Sequence, residues 1–171
     1  MLFRSDGDYM DSNVRGAMLG AWFALEDIAP FAGRFVLVPR SHRLDKGAGE
    51  AVAAYREFRD RQALTSAVIS SDMRANMKRR LEEAALLHRA ISDAGLFVVA
   101  PMLNKGDAVF WSAGLVHGSL PPESRGFSRN SLTAHYIAET QALMVHGRRV
   151  DVATETHHGM KLRMTPNQHQ G

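Results

Sequence analysis

The chain has 171 residues, 45% of them hydrophobic and 23% charged, with a formal charge of +3 and no cysteine. A chain of this length fits one domain with a real core, and its balance of apolar and charged residues is that of a globular protein rather than a disordered one. The missing cysteines exclude disulfides, thiolate nucleophiles and zinc–thiolate sites, so any metal must be held by His, Asp, Glu or water.

"LFRSDGDYM", residues 2–10, reads as a short extended stretch carrying Asp6. The opening "MLFRSDGD" lacks the apolar core and small-residue cleavage site of a signal peptide, so a cytoplasmic protein is expected. No apolar run approaches the roughly 18 residues of a spanning helix, which argues against a membrane partner. "GAMLGAWFALED" alternates, with Leu19, Ala21, Phe23 and Leu25 on one face, the mark of a half-buried strand. After the turn-like "APFAG", "GRFVLVP" is a second β-rich run closed by Pro39, and the two are expected to be neighbouring antiparallel strands.

From about residue 48 to 94 the period changes. "GEAVAAYREFRDRQ" reads as a helix, and in the following stretch Met73, Met77, Leu81, Ala84, His88 and Ile91 recur at intervals of three and four, which is one helix face. Ser70 or Ser71 suits the start of that helix and Gly95 its end. His88 reads as a packed or interface histidine, because the stripe offers no second donor. The basic residues of "YREFRDRQ" and "MKRRLEE" are interleaved with acids and lack accompanying aromatics, which reads as a solvated face rather than a nucleic-acid surface.

Strand signals resume at "GLFVVAP", "DAVFWSAGLVHGS", "RNSLTAHYIAE" and "QALMVHGRR". Seven or eight strand candidates around one helical insertion favour a mainly β, antiparallel jelly roll or barrel over a βαβ sheet. The expected organisation is a single domain over residues 1–150, with the helical insertion at 48–94, and a polar tail over 151–171. His146, His157, His158 and His169 fall late in the chain without a carboxylate at strand-compatible spacing, which weighs against a different metal hydrolase or isomerase built on them.

"GAWFALEDIAPFAGRFVLVPRSHR", and "KGDAVFWSAGLVHGS" followed by "RNSLTAHY", resemble the phytanoyl-CoA dioxygenase family of Fe(II)- and 2-oxoglutarate-dependent oxygenases. The resemblance spans most of residues 4–138 outside the helical insertion. It implies a double-stranded β-helix of the cupin-like jelly-roll class. It also implies a two-histidine, one-carboxylate iron site, a geometry that leaves positions open for cosubstrate and oxygen. By resemblance Asp6 stands at the iron carboxylate, with Trp22 following at the required distance, and His117 at the distal iron ligand. Ser119 matches a hydroxyl on the 2-oxoglutarate cosubstrate, and Trp22 an aromatic lining its pocket. Arg129, twelve residues after His117, matches the arginine that grips the distal carboxylate through paired hydrogen bonds. Arg125 competes for that role. Ser131, Thr133 and His135 are expected to point inward with it, His135 in a core role. "VPRSH" has Arg40 where the family keeps a glycine, and His42 reads as a turn residue.

Two departures stand out. Arg4 occupies the proximal histidine position, and arginine has no lone pair to offer a metal; an Arg4–Asp6 ion pair is the expected substitute. Met1 lies only three residues earlier, so the chain reads as a family member shortened at its N-terminus, with a second copy or partner chain covering the apolar surface left open. The implied activity is oxidative decarboxylation of 2-oxoglutarate coupled to hydroxylation of a small organic substrate. The competing expectation is a non-catalytic jelly roll acting as a binding or scaffold protein, which Arg4 favours.

Overall fold

A computed structural model of the chain describes residues 3–47, 49–65, 73–123 and 126–163. Its centre is β2 (Leu19–Ala24), flanked on both edges by antiparallel β4 (Ala108–Ser112) and β6 (Ser131–Tyr136), so both rows of its backbone groups are satisfied. Gly20 stands opposite Trp111 on one side and His135 on the other, and Trp22 opposite Val109 and Thr133. A second sheet pairs β3 (Phe35–Leu37) with β5 (His117–Ser119). Trp22, Phe35 and Trp111 meet in an aromatic core with Ala24, Ile28 and Leu103. The architecture is mainly β and of the jelly-roll class.

The alternation across residues 19–25 is present at the ends of the strand, while Ala21, on the face of Leu19 and Leu25, is fully buried as well. Gly20, Trp22 and Ala24 face the interior, whereas Leu19 is 39% and Leu25 52% exposed. The tryptophan decides the face: its indole fills the interior and leaves Leu19 and Leu25 on the outer side. β2 and β3 are not the expected neighbours. Residues 25–34 carry the chain from one sheet to the other, anchored where the Ile28 N–H donates to the Leu103 carbonyl. "GLFVVAP" contributes only a bridge, Val99 to Leu37.

The insertion forms α1 (Glu50–Thr65) and α2 (Met73–Asp93). Both pack on the outer side of β3 and β5, where Val52, Tyr55, Leu87, Ala90 and Ile91 join Phe3, Val36, Val38 and Val116 in a second core. The buried face of α2 is rotated from the expected stripe: Ala84, Leu87, Ala90 and Ile91 are buried, while Met77 and Leu81 are more than half exposed. His88 is exposed, its ring 4.7 Å from that of Phe3. Gly95 ends the helix in the left-handed region at φ 62°, with the Leu96 N–H returning to the Ile91 carbonyl, a conformation glycine adopts without a Cβ penalty. Ser70 and Ser71 lie outside the described residues.

β1 (Met10–Ser12) pairs with β7 (Leu143–Val145), which pairs with β8 (Arg148–Val150); β9 (Thr154–His157) and β10 (Met160–Arg163) form a further hairpin. Both hairpins turn on a His-Gly pair at positive φ, His146-Gly147 and His158-Gly159, the geometry of two-residue primed turns. His146 and His158 therefore serve as turn residues, and His169 lies outside the described residues. Among the described residues no helix is long and apolar enough to cross a membrane.

Candidate metal and cosubstrate site

The opening segment is laid along β5 by two backbone bonds: the Arg4 N–H donates to the His117 carbonyl at 3.0 Å, and the His117 N–H to the Arg4 carbonyl at 2.9 Å. The Ser5 hydroxyl and the Gly7 N–H both donate to the Ala113 carbonyl. This pinning brings Asp6, in a 3₁₀ turn, beneath Trp111 and beside His117, with 1% of its surface exposed.

His117 is equally buried. Its Nδ1 lies 3.0 Å from the Leu115 carbonyl, an atom that only accepts, so in the neutral ring Nδ1 carries the proton and Nε2 presents its lone pair. That Nε2 has no hydrogen-bond partner and lies 3.4 Å from Asp6 Oδ1. Two buried acceptors facing each other repel unless a cation or a proton comes between them. The separation is within reach of one metal bound at roughly 2.0–2.2 Å from each. These two residues fit the metal the resemblance implies.

The rest of the Asp6 carboxylate is held by protein donors. The Tyr9 hydroxyl donates to Oδ1 at 2.6 Å and the Trp111 indole to Oδ2 at 2.8 Å, while His135 Nε2 lies 3.3 Å from Oδ2. Burial by itself pushes the Asp6 carboxyl up, but the His117 imidazole whenever a proton on Nε2 replaces the lone pair, with the His135 imidazole and the Tyr9 hydroxyl, outweighs it and holds the group far below the usual carboxylate range. The expected Arg4–Asp6 ion pair does not form. Arg4 is exposed, and the Asp6 oxygens are occupied by Tyr9, Trp111 and the two histidines. His135 is likewise not a core residue: its side chain is 26% exposed and reaches the carboxylate from the oxygen opposite His117. Among the described residues no three His, Cys, Asp or Glu side chains are arranged to hold a metal ion, which leaves Asp6 and His117 as a pair without a third donor.

Two residues along β5, on the same face as His117, Ser119 accepts a hydrogen bond of 2.7 Å from Arg129 Nη1, which also donates to the Gly33 carbonyl. Glu26 clamps the chain on both sides of Arg129: its carboxylate accepts from the Ser128 hydroxyl and from the backbone and side-chain N–H groups of Asn130. Trp22 is buried and stacked on Phe35 at 5.8 Å, and Phe35 lies 5.8 Å from the His117 ring. It stands one ring removed from the Asp6–His117 pair. Arg125 lies outside the described residues. His42 is an exposed residue of the turn after Arg40, a turn that holds β5 through the Val116 N–H donating to Ser41 Oγ at 2.7 Å.

Sequence reasoning missed Tyr9, Trp111 and Glu26. Trp111 and Asp6 are 105 positions apart, and nothing in either neighbourhood marks the contact. Tyr9 carried a signal, a phenol three residues after an acidic residue in a tight opening segment.

The sequence model described as phytanoyl-CoA dioxygenase (PhyH) matches residues 3–131. No curated protein matches the chain in sequence. Among solved structures, the non-heme alpha ketoglutarate dependent epimerase SnoN from nogalamycin biosynthesis is 21% identical with a TM-score of 0.52, covering 85% of this chain and 41% of that one. The non-heme alpha ketoglutarate dependent carbocyclase SnoK from the same biosynthesis is 22% identical with a TM-score of 0.43, covering 78% of this chain and 40% of that one. The chain thus spans about two fifths of the length of each. The likeness to the epimerase shows a shared fold.

Proposed function

The chain belongs to the phytanoyl-CoA dioxygenase family, and from that premise we propose that it is an Fe(II)- and 2-oxoglutarate-dependent oxygenase that hydroxylates a small organic substrate in the cytoplasm. The observation that carries the reading is the buried Nε2 lone pair of His117, which faces Asp6 Oδ1 at 3.4 Å with no hydrogen-bond partner. Asp6 and His117 would hold the metal; bound there with 2-oxoglutarate, it supplies the oxidising chemistry.

The chain's own residues bind and orient. Arg129 meets the distal carboxylate of 2-oxoglutarate: Nη1 is engaged by Ser119 and Gly33, and the remaining N–H groups of the guanidinium, which have no partner among the described residues, can form a charged pair. Ser119 adds its hydroxyl and holds the guanidinium in place. Glu26 fixes the backbone from which Arg129 projects. Trp22, Phe35 and Trp111 form an apolar wall behind His117, which keeps water from that side of the pair.

The test is anaerobic titration with Fe(II) and 2-oxoglutarate, following the charge-transfer absorption of the metal–cosubstrate complex and the heat of binding. The reading expects absorption in the native chain and its loss in His117→Ala and Arg129→Met. Absence of both absorption and heat in the native chain overturns it. One observation favours a second reading, a non-catalytic jelly roll that keeps only the carboxylate-binding arginine: Arg4 stands where a third donor is needed and does not approach Asp6. That reading expects 2-oxoglutarate to bind equally with and without metal.

A further inference from the structure

Trp111 touches both members of the Asp6–His117 pair. Its indole N–H donates to Asp6 Oδ2 at 2.8 Å, and its ring lies 4.9 Å from the His117 ring at an interplanar angle of 43°. The side chain is buried, on β4 next to its last residue, in a strand paired to β2. Directly opposite in the register is Gly20, where a Cβ would lie 2.4 Å from Trp111 Cε2 and 2.7 Å from Nε1. Gly20 sits inside a regular strand between Leu19 and Ala21, so it is glycine for space: the absent side chain is the room in which the indole lies.

A carboxylate turns easily about its last carbon–carbon bond. With Oδ2 tied to the indole and Tyr9 on Oδ1 at 2.6 Å, that rotation is stopped with Oδ1 facing the His117 lone pair. The same indole packs against the imidazole and limits its rotation. We infer that Trp111, seated in the gap left by Gly20, is a positioning residue that sets the mutual orientation of Asp6 and His117. The inference rests on the iron reading for its functional meaning, while the orientation itself belongs to the metal-free chain. His135, 3.3 Å from the same Oδ2, is the weaker contact, at the edge of hydrogen-bond range and partly exposed.

Trp111→Phe keeps a ring against His117 and removes the N–H. Two measurements decide. In the metal-free protein labelled with nitrogen-15, Asp6→Asn is expected to move the indole N–H signal that Trp111→Phe abolishes, and Trp111→Phe is expected to move the His117 ring-nitrogen signals. In an anaerobic Mn(II) titration, Trp111→Phe is expected to bind about 10–100-fold more weakly, the usual effect of losing a partner that orients a metal ligand. Phe110→Leu, one residue away on the opposite, exposed face of the strand, is expected to bind Mn(II) as the native chain does. Unmoved His117 signals in Trp111→Phe, or unchanged Mn(II) affinity in a chain that binds the ion, overturn the inference. Failure of the native chain to bind Mn(II) sinks the iron reading instead, and the metal-free signals still decide the role of Trp111.

Discussion

Arg4→His tests whether position 4 belongs to the metal site. Arg4 and His117 exchange both backbone hydrogen bonds, at 3.0 and 2.9 Å. In an antiparallel bridge such a pair has Cα atoms about 5.5 Å apart and side chains on one face. An imidazole at position 4 therefore rises on the His117 side, where Asp6 already lies, and offers the third donor that the described residues lack. Changes to partners that merely orient a ligand alter metal affinity about 10–100-fold. A donor added directly to the metal is expected to strengthen binding by at least that factor, about 1.4–2.7 kcal/mol. The fold has little to lose, because the Arg4 side chain is exposed and the bridge is made by backbone. The assay is a parallel anaerobic titration of the native chain and Arg4→His with Fe(II), then 2-oxoglutarate, with thermal unfolding of both. An unchanged metal affinity in a variant of unchanged melting temperature refutes the placement of position 4 at the metal.

Arg129→Met removes a charged donor from the cosubstrate end; losing charge-assisted hydrogen bonds worth about 1.5–3 kcal/mol should weaken 2-oxoglutarate binding by about 10–150-fold, and calorimetry showing native affinity removes Arg129 from the site. Arg40 stands in the left-handed region at φ 70°, a conformation that costs a side-chain-bearing residue about 1–2 kcal/mol. Glycine's added unfolded-state entropy takes back about 0.5–1 kcal/mol, so Arg40→Gly should raise the melting temperature by up to about 6 °C, and a lower one would contradict the strain. Glu26 is held below its usual 4.5 by the Asn130 backbone N–H and the Ser128 hydroxyl. Its clamp is therefore complete above the ordinary carboxylate range and lost as pH falls through the lowered folded value. The protection of the Asn130 amide, its exchange measured against the intrinsic rate at each pH, should fall in acid in the native chain and show no such fall in Glu26→Gln, and an equal fall in both would deny Glu26 the role.

Local pattern carried part of the fold. The three-and-four spacing of residues 73–91 marks α2, yet its stripe was rotated, because a helix lying on β3 and β5 buries whichever side meets Val36 and Val116, here Leu87, Ala90 and Ile91. Period two marked β2, but alternation cannot say which face is inside. The large indole of Trp22 turned Gly20 and Ala24 inward with it and left Leu19 and Leu25 outside. Pairing was the least legible: β2 and β3 adjoin in sequence but lie in different sheets, since short strands leave the choice of partner to the segments that cross between sheets.

At the site, the sequence by itself determined the family, through motifs whose order and spacing survive without coordinates. It also determined the anomaly, because an arginine at position 4 cannot ligate a metal in any conformation. The tertiary structure decided what surrounds Asp6. It placed Tyr9, Trp111 and His135 on the carboxylate and left Arg4 outside. Those contacts join residues as far apart as 129 positions. Hydrogen bonds require donor and acceptor within about 3 Å, and only the closing of β6 and β4 against β2 brings such distant residues to that distance.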